Sequence, residues 1–108
     1  GHTDNRTINT HRFASNWELS GMRALEVARY LIKNVGISPD QISITGFSEY
    51  RPLVPNSSEI NMSKNRRVEL HILYQNQKDR SHHTQKKVKP LYQAHLLTYQ
   101  TIRFYIRK

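Results

Sequence analysis

Apolar positions fall into one long helical pattern, two strand-like alternations and a last stretch that follows neither period. The helical pattern lies in SNWELSGMRALEVARYLIKNVG. Trp17, Gly21, Ala24, Ala28, Leu31 and Val35 recur at i, i+4, i+7, i+11, i+14 and i+18, one apolar stripe flanked by Leu25 and Ile32. Ser15 and Glu18 form an S-x-x-E capping box, Glu26 and Arg29 fall on the wet side, and Asn34 and Gly36 supply the stop. The spacing predicts a helix over 16–34.

Ser38, Pro39 and Asp40 make a turn, after which Ile42 and Ile44 alternate with Ser43 and Thr45, predicting a short strand ended by Gly46. Pro52 and Pro55 hold an extended loop, because each fixes its own φ and disfavours helix just before it. Asn56 or Ser57 is the expected cap of a short helix over 58–65. In RRVELHILYQ, Val68, Leu70, Ile72 and Tyr74 alternate with Glu69, His71 and Leu73, a second strand. Helix, strand, short helix, strand is an α+β order, expected as a helix/strand sandwich with a small mixed sheet. GHTD at the front suits the end of a first strand whose apolar residues are missing. That strand is therefore expected to be truncated, with an exposed sheet edge and a thin core.

After Gln75 the pattern changes. QNQKDRSHHTQKKVKP is polar and basic without a period, and residues 77–90 are expected to be disordered. Residues 96–106 read as a strand or an irregular helix. Charge sharpens the same boundary. Residues 1–76 carry 9 Lys/Arg and 7 Asp/Glu, net +2, whereas 77–108 carry 8 and 1, net +7, of the chain's +9. The expected organisation is a domain over 1–76 and a basic tail over 77–108. Because the tail holds the charge, the high pI does not argue for nucleic-acid binding by the folded part. Lys86, Lys87 and Lys89 suit phosphates or anionic headgroups, but the patch is short and lacks interleaved aromatics. A solvated extension with no nucleic-acid partner is the simpler expectation.

The absence of cysteine excludes disulfides, thiolate metal sites and a cysteine nucleophile. No apolar run approaches the roughly 18–20 residues of a membrane span. The chain begins with Gly1, not Met, and reads as a fragment, so any anchor or targeting segment is expected upstream of it. His2, Asp4 and Ser20 sit in no nucleophile elbow and beside no second acid, so no enzyme is expected. The histidines are scattered without ligand spacing, so no metal or cofactor is expected either.

The start of the long helix is more informative. Asn16, Ser20 and Arg23 share one edge of its first two turns, an edge expected to be exposed and off the apolar stripe. An amide, a hydroxyl and a guanidinium at the positive end of a helix favour a carboxylate, which arginine can grip bidentately. Asp4 would lie close by if GHTD abuts the helix start. A cation receptor beside an anion receptor suits a zwitterion. An Asp4–Arg23 ion pair tying loop to helix satisfies the same spacing equally well.

GHTDN, SNWELSGMRALEVARYL, ITGFSEYRPLVPN and KNRRVEL follow in the order and spacing of the OmpA-like C-terminal domain family, which the chain resembles from Gly1 to about Tyr74. The resemblance implies that family's fold and noncovalent peptidoglycan binding. Asp4 matches the Asp of the TD motif and Arg23 the Arg of LSxxRA. By resemblance they hold the ammonium and carboxylate of diaminopimelate in the stem peptide. Thr3 beside Asp4, Asn16, Leu19 and Ser20 of NxxLS, and Asn65 and Arg66 of NRR are implied to support the site. Two positions depart from the family pattern: Thr7 stands where Pro usually follows TDNR, and Met22 where a small residue is usual. The spacer NRTINTHRFA, SNWELS and EYRPLVPN are similar to the MotB-type flagellar stator branch. That branch implies a periplasmic domain of an inner-membrane-anchored homodimer, with a MotA-like subunit engaged through upstream regions. A Pal-type envelope anchor is the other reading within the family, and a nucleic-acid module driven by the tail the reading from another class.

Overall fold

The computed structural model describes residues 1–75 and 97–106. The chain forms two compact units, Gly1–Glu69 with Arg103–Lys108, and Leu70–Ile102.

Helix α1 runs Asn16–Tyr30. Ser15 caps it in an extended conformation, its Oγ accepting from the Trp17 amide at 3.2 Å and also meeting the Glu18 carboxylate. The helical run ends within a residue of the expected position. After Tyr30 it continues as a wider π turn over Leu31–Val35 and ends at Gly36, whose φ of 86° is the left-handed conformation that glycine adopts without steric cost.

The buried face of α1 differs from the apolar stripe in the sequence. Asn16, Ser20, Ala24 and Ala28 are buried, and Leu31 continues the row, whereas Trp17 and Val35 are 53% and 61% exposed. The two polar residues go inside because their hydrogen bonds are made there. Asn16 Nδ2 donates to the Arg6 carbonyl at 3.0 Å. Ser20 Oγ donates to the Trp17 carbonyl at 3.0 Å and accepts the Ser48 amide at 3.1 Å. Trp17 instead lies tilted against Tyr50, ring centroids 5.5 Å apart.

Residues 1–3 run alongside 45–48 in the same direction. The Gly1 amine donates to the Thr45 carbonyl, the Phe47 amide to Gly1 at 2.9 Å, and the Thr3 amide to Ser48 at 2.9 Å. On the other side His2 bridges Arg67 in antiparallel fashion. The helix crosses this pair where both backbones are glycine. A Cβ on Gly46 would lie 2.7 Å from Ser20 Oγ and 3.0 Å from the Gly21 amide, and one on Gly1 1.9 Å from the Ser20 carbonyl. The strand expected over Ile42–Thr45 does not form. Ile42 is extended (φ −123°), but residues 42–44 make no ladder among the described residues and Ile44 stays 45% exposed.

Helix α2 spans Glu59–Asn65. Its cap is Ser58 and not Asn56 or Ser57: Ser58 Oγ accepts the Asn61 amide at 3.1 Å, while Asn56 accepts from Asn65 and Ser57 from the Asn61 side chain. Strand β1 is Arg67–Gln75. It keeps the expected alternation, with Val68 buried, Leu70 and Ile72 half-buried, and His71 and Leu73 exposed. Strand β2, Leu97–Tyr105, lies beside it. The Ile106 amide donates to the Arg66 carbonyl and Arg103 meets Glu69, an antiparallel register, so the stretch read as strand or irregular helix is strand over Leu97–Tyr105. The architecture is α+β, as expected. Among the described residues the buried apolar side chains are Ala24, Ala28, Leu31 and Val68, fewer than the buried polar ones. Hydrogen bonds and ion pairs therefore carry much of the interior. The expected disorder of 77–90 lies outside the described residues. No described helix is long and apolar enough to cross a membrane.

Candidate functional site

A cleft of about 380 Å³ opens at the start of α1, lined by Thr3, Asp4, Arg6, Thr7, Ile8, Asn16, Leu19, Arg23, Arg66 and Ile106. The backbone pairing of residues 1–3 delivers Asp4 to its floor. Thr3 Oγ1 donates to the Asp4 carbonyl at 2.8 Å, and the Arg6 amide donates to Asp4 Oδ1 at 3.0 Å, an aspartate turn closed two residues on. Asp4 Oδ2 accepts from Arg6 Nη2 at 2.7 Å, Arg6 Nε at 3.2 Å and Arg66 Nη1 at 2.7 Å. Arg66 Nη2 reaches Glu59 at 2.8 Å, and Arg6 Nη1 lies 3.5 Å from the same carboxylate. The result is a ring of alternating charge, Arg6–Asp4–Arg66–Glu59.

Asp4 is 5% exposed. Burial pushes its carboxyl up, but the hydrogen bonds from Arg6 and Arg66 outweigh it and hold the group down at about 2. It is ionised at neutral pH. Arg23 is placed differently. Its Nη1 is shielded from solvent with no hydrogen-bond partner, and it makes no ion pair among the described residues. Burial lowers its pKa, and the nearby Arg66 charge adds to that. An arginine nonetheless stays protonated. The Asp4–Arg23 ion pair left open by the spacing does not form, because Arg6 and Arg66 take the carboxylate. The cleft thus holds a carboxylate already engaged and a guanidinium nitrogen still unused.

Of the expected supporting residues, Thr3, Asn16, Leu19 and Arg66 line the cleft. Ser20 and Asn65 are fully buried outside its lining. The expectation that Asn16 and Ser20 would be exposed is corrected by the bonds that draw them inside. Asn65 braces the loop after Pro52: its Oδ1 accepts the Leu53 and Val54 amides at 2.9 and 3.2 Å, and its Nδ2 donates to the Val54 carbonyl and Asn56 Oδ1. Sequence reasoning missed Arg6, Glu59 and Ile106. Arg6 had a signal, a long cationic side chain two residues beyond an aspartate in a turn; Ile106, from the far end of the chain, had none. Among the described residues no group of three or more His, Asp or Glu is placed to hold a metal ion.

Fold and cleft define a small α+β domain with a charged pocket at a helix start. Residues 1–66 match the OmpA family, and the chain belongs to it. It is similar to Motility protein B of Bacillus subtilis (strain 168), 45% identical over 73 residues, 68% of this chain and 28% of that protein. Motility protein B of Helicobacter pylori (strain J99) is 41% identical over 65% of this chain and 27% of its own length. The Peptidoglycan-associated lipoprotein of Pseudomonas aeruginosa is 37% identical over 65% of this chain and 39% of its own. The chain thus spans well under half of each relative. No solved structure matches this chain.

Proposed function

We propose that this domain is a non-enzymatic anchor that binds peptidoglycan through the diaminopimelate of the stem peptide. The observation that carries the reading is the unpartnered Arg23 Nη1 in a cleft that also holds the buried, ionised Asp4. A shielded donor without a partner costs free energy until an acceptor arrives, and a ligand carboxylate is such an acceptor. Asp4 faces the ligand ammonium. Thr3, Asn16, Leu19 and Arg66 shape the cleft, and Ser20 and Asn65 brace it. The binding domain is 1–76 completed by the end of the chain, where Ile106 lines the cleft.

The parent is a MotB-like stator subunit, held in the inner membrane with this domain in the periplasm, paired as a homodimer and working with a MotA-like subunit. The identity to motility proteins of two organisms supports this. Wall binding would hold the stator still, so that ion flow yields torque. A few charge-assisted contacts give only moderate affinity, and a dimer on a repeating polymer gains by avidity. The likeness to a peptidoglycan-associated lipoprotein supports a second reading, an envelope anchor of that type, with the same ligand. The upstream sequence separates the two: a membrane helix carrying an aspartate for the first, a lipid-modified cysteine for the second.

Pull-down by purified sacculi tests the site. Asp4→Asn and Arg23→Lys should each weaken binding by roughly 1–3 kcal/mol, the cost of losing a charge-assisted partner. Free diaminopimelate should compete and lysine, lacking the second carboxylate, should compete poorly. Both variants binding sacculi as the parent does would refute the site.

A further inference from the structure

The two receptors in the cleft are in opposite states. Arg23 Nη1 has no partner among the described residues, whereas Asp4 Oδ2 already accepts from both Arg6 and Arg66. The two guanidinium groups on Asp4 differ in how they are held. Arg66 is 8% exposed and clamped between Asp4 at 2.7 Å and Glu59 at 2.8 Å, so it is part of the frame. Arg6 is 49% exposed and lies on the solvent side of the same carboxylate. Its backbone amide, not its side chain, closes the turn at Asp4, so the turn does not depend on the guanidinium. A second anion lies within its reach: Arg6 Nη1 is already 3.5 Å from Glu59 Oε2, while Glu59 Oε1 holds Arg66.

We propose that Arg6 is a specificity-determining residue of the cleft: a resident cation that occupies Asp4 in the free protein and moves over to Glu59 when a ligand ammonium arrives. This rests on the zwitterion reading of the site and adds to it the identity of the competitor. An exchange of one cation for another costs little charge separation, because Arg6 keeps an anionic partner throughout. It also filters ligands. A diacid without an amine can reach Arg23 but has nothing to put in place of Arg6. A simple amine can compete at Asp4 but gains nothing from Arg23. Only a group carrying both charges displaces Arg6 and satisfies Arg23 together.

The test is calorimetric titration of the full chain and of Arg6→Gln with meso-diaminopimelate and, separately, with pimelate, the same carbon chain with two carboxylates and no amine. Removing a half-exposed competitor should tighten meso-diaminopimelate binding about two- to fivefold, the range expected for an exposed ion pair. Pimelate affinity should not rise. Glu59→Gln, which takes away the second position for Arg6, should weaken meso-diaminopimelate binding. If the parent binds the diamino acid and Arg6→Gln binds it equally, Arg6 is no competitor and the inference falls while the site reading stands. If Arg6→Gln binds more weakly, Arg6 is itself a ligand contact, and the inference falls in the other direction. If neither protein binds meso-diaminopimelate, the inference and the reading beneath it fall together.

Discussion

His2 and Asp4 stand two residues apart, both buried, and both make the fold sensitive to acid in successive pH windows. His2 is 4% exposed, stacks on Phe47 with centroids 5.1 Å apart, and leaves Nδ1 without a partner. Burial, joined by the Arg67 charge, lowers its pKa from 6.5 to about 4. The unfolded chain therefore takes up a proton before the folded one does. Stability is complete above about pH 6.5 and falls as the pH drops to about 4. Asp4, with burial raising and the Arg6 and Arg66 bonds lowering its pKa from 3.8 to about 2, contributes stability above pH 3.8 that is lost as the pH falls toward 2. Urea midpoints measured across pH should show two acid steps, and His2→Gln should remove the upper step while leaving the lower. An unchanged slope between pH 6.5 and 4 in His2→Gln would assign the upper step to another group. Neither shift was legible in the sequence. GHTD shows the residue types, but their burial comes from pairing with Ser48 and Arg67, far along the chain.

At the scale of elements, α1, α2 and β1 were legible because each carries a periodic pattern and a recognisable boundary signal. The face of α1 was not. Hydropathy places Trp17 inside and Ser20 outside, and the structure reverses both: Ser20 has two backbone partners, while Trp17 stays half exposed against Tyr50. Ser48 shows what this joint demands: it is buried and held at φ 55°, a left-handed conformation uncommon for a residue with a Cβ. Ser20→Ala should therefore destabilise the domain by roughly 1–3 kcal/mol, because it leaves the Ser48 amide buried without an acceptor. A serine on a solvated face would cost about 0.5 kcal/mol or less when replaced by alanine. Denaturant unfolding distinguishes the two, and a loss in the lower range would mean that Ser48 finds another partner. The strand expected over 42–45 did not form: alternation describes what a strand would bury but does not supply a ladder partner, and the described backbone bonds run from Thr45 onward, to Gly1 and Thr3.

For the molecule as a whole, the charge split and the loss of period after Gln75 suggest a domain followed by a tail, yet the end of the chain returns to the first unit. Arg103 pairs with Glu69, which also holds the buried Arg67 at 2.7 Å; the Ile106 amide donates to the Arg66 carbonyl at 3.0 Å; and Ile106 lines the cleft. No pattern in the sequence could show this, because β2 alternates weakly and its partner lies beyond a long basic stretch. The consequence is a prediction that separates charge from structure. A chain ended after Gln75 loses these three contacts at once. It should unfold at lower urea and be retained less by sacculi. The 108-residue chain with Lys86, Lys87 and Lys89 changed to Gln drops three positive charges but keeps β2, and it should match the unaltered chain in both assays. If the shortened chain were as stable and as well retained as the parent, β2 would be dispensable and the domain would end near residue 76. If instead the three Lys→Gln changes abolished retention, binding would rest on the basic stretch, and Asp4 and Arg23 would lose their claim to the ligand. With the shortened chain weak and the lysine variant intact, the frame around Arg66 and Arg67 requires both ends of the chain, and the cleft is assembled from residues a hundred positions apart.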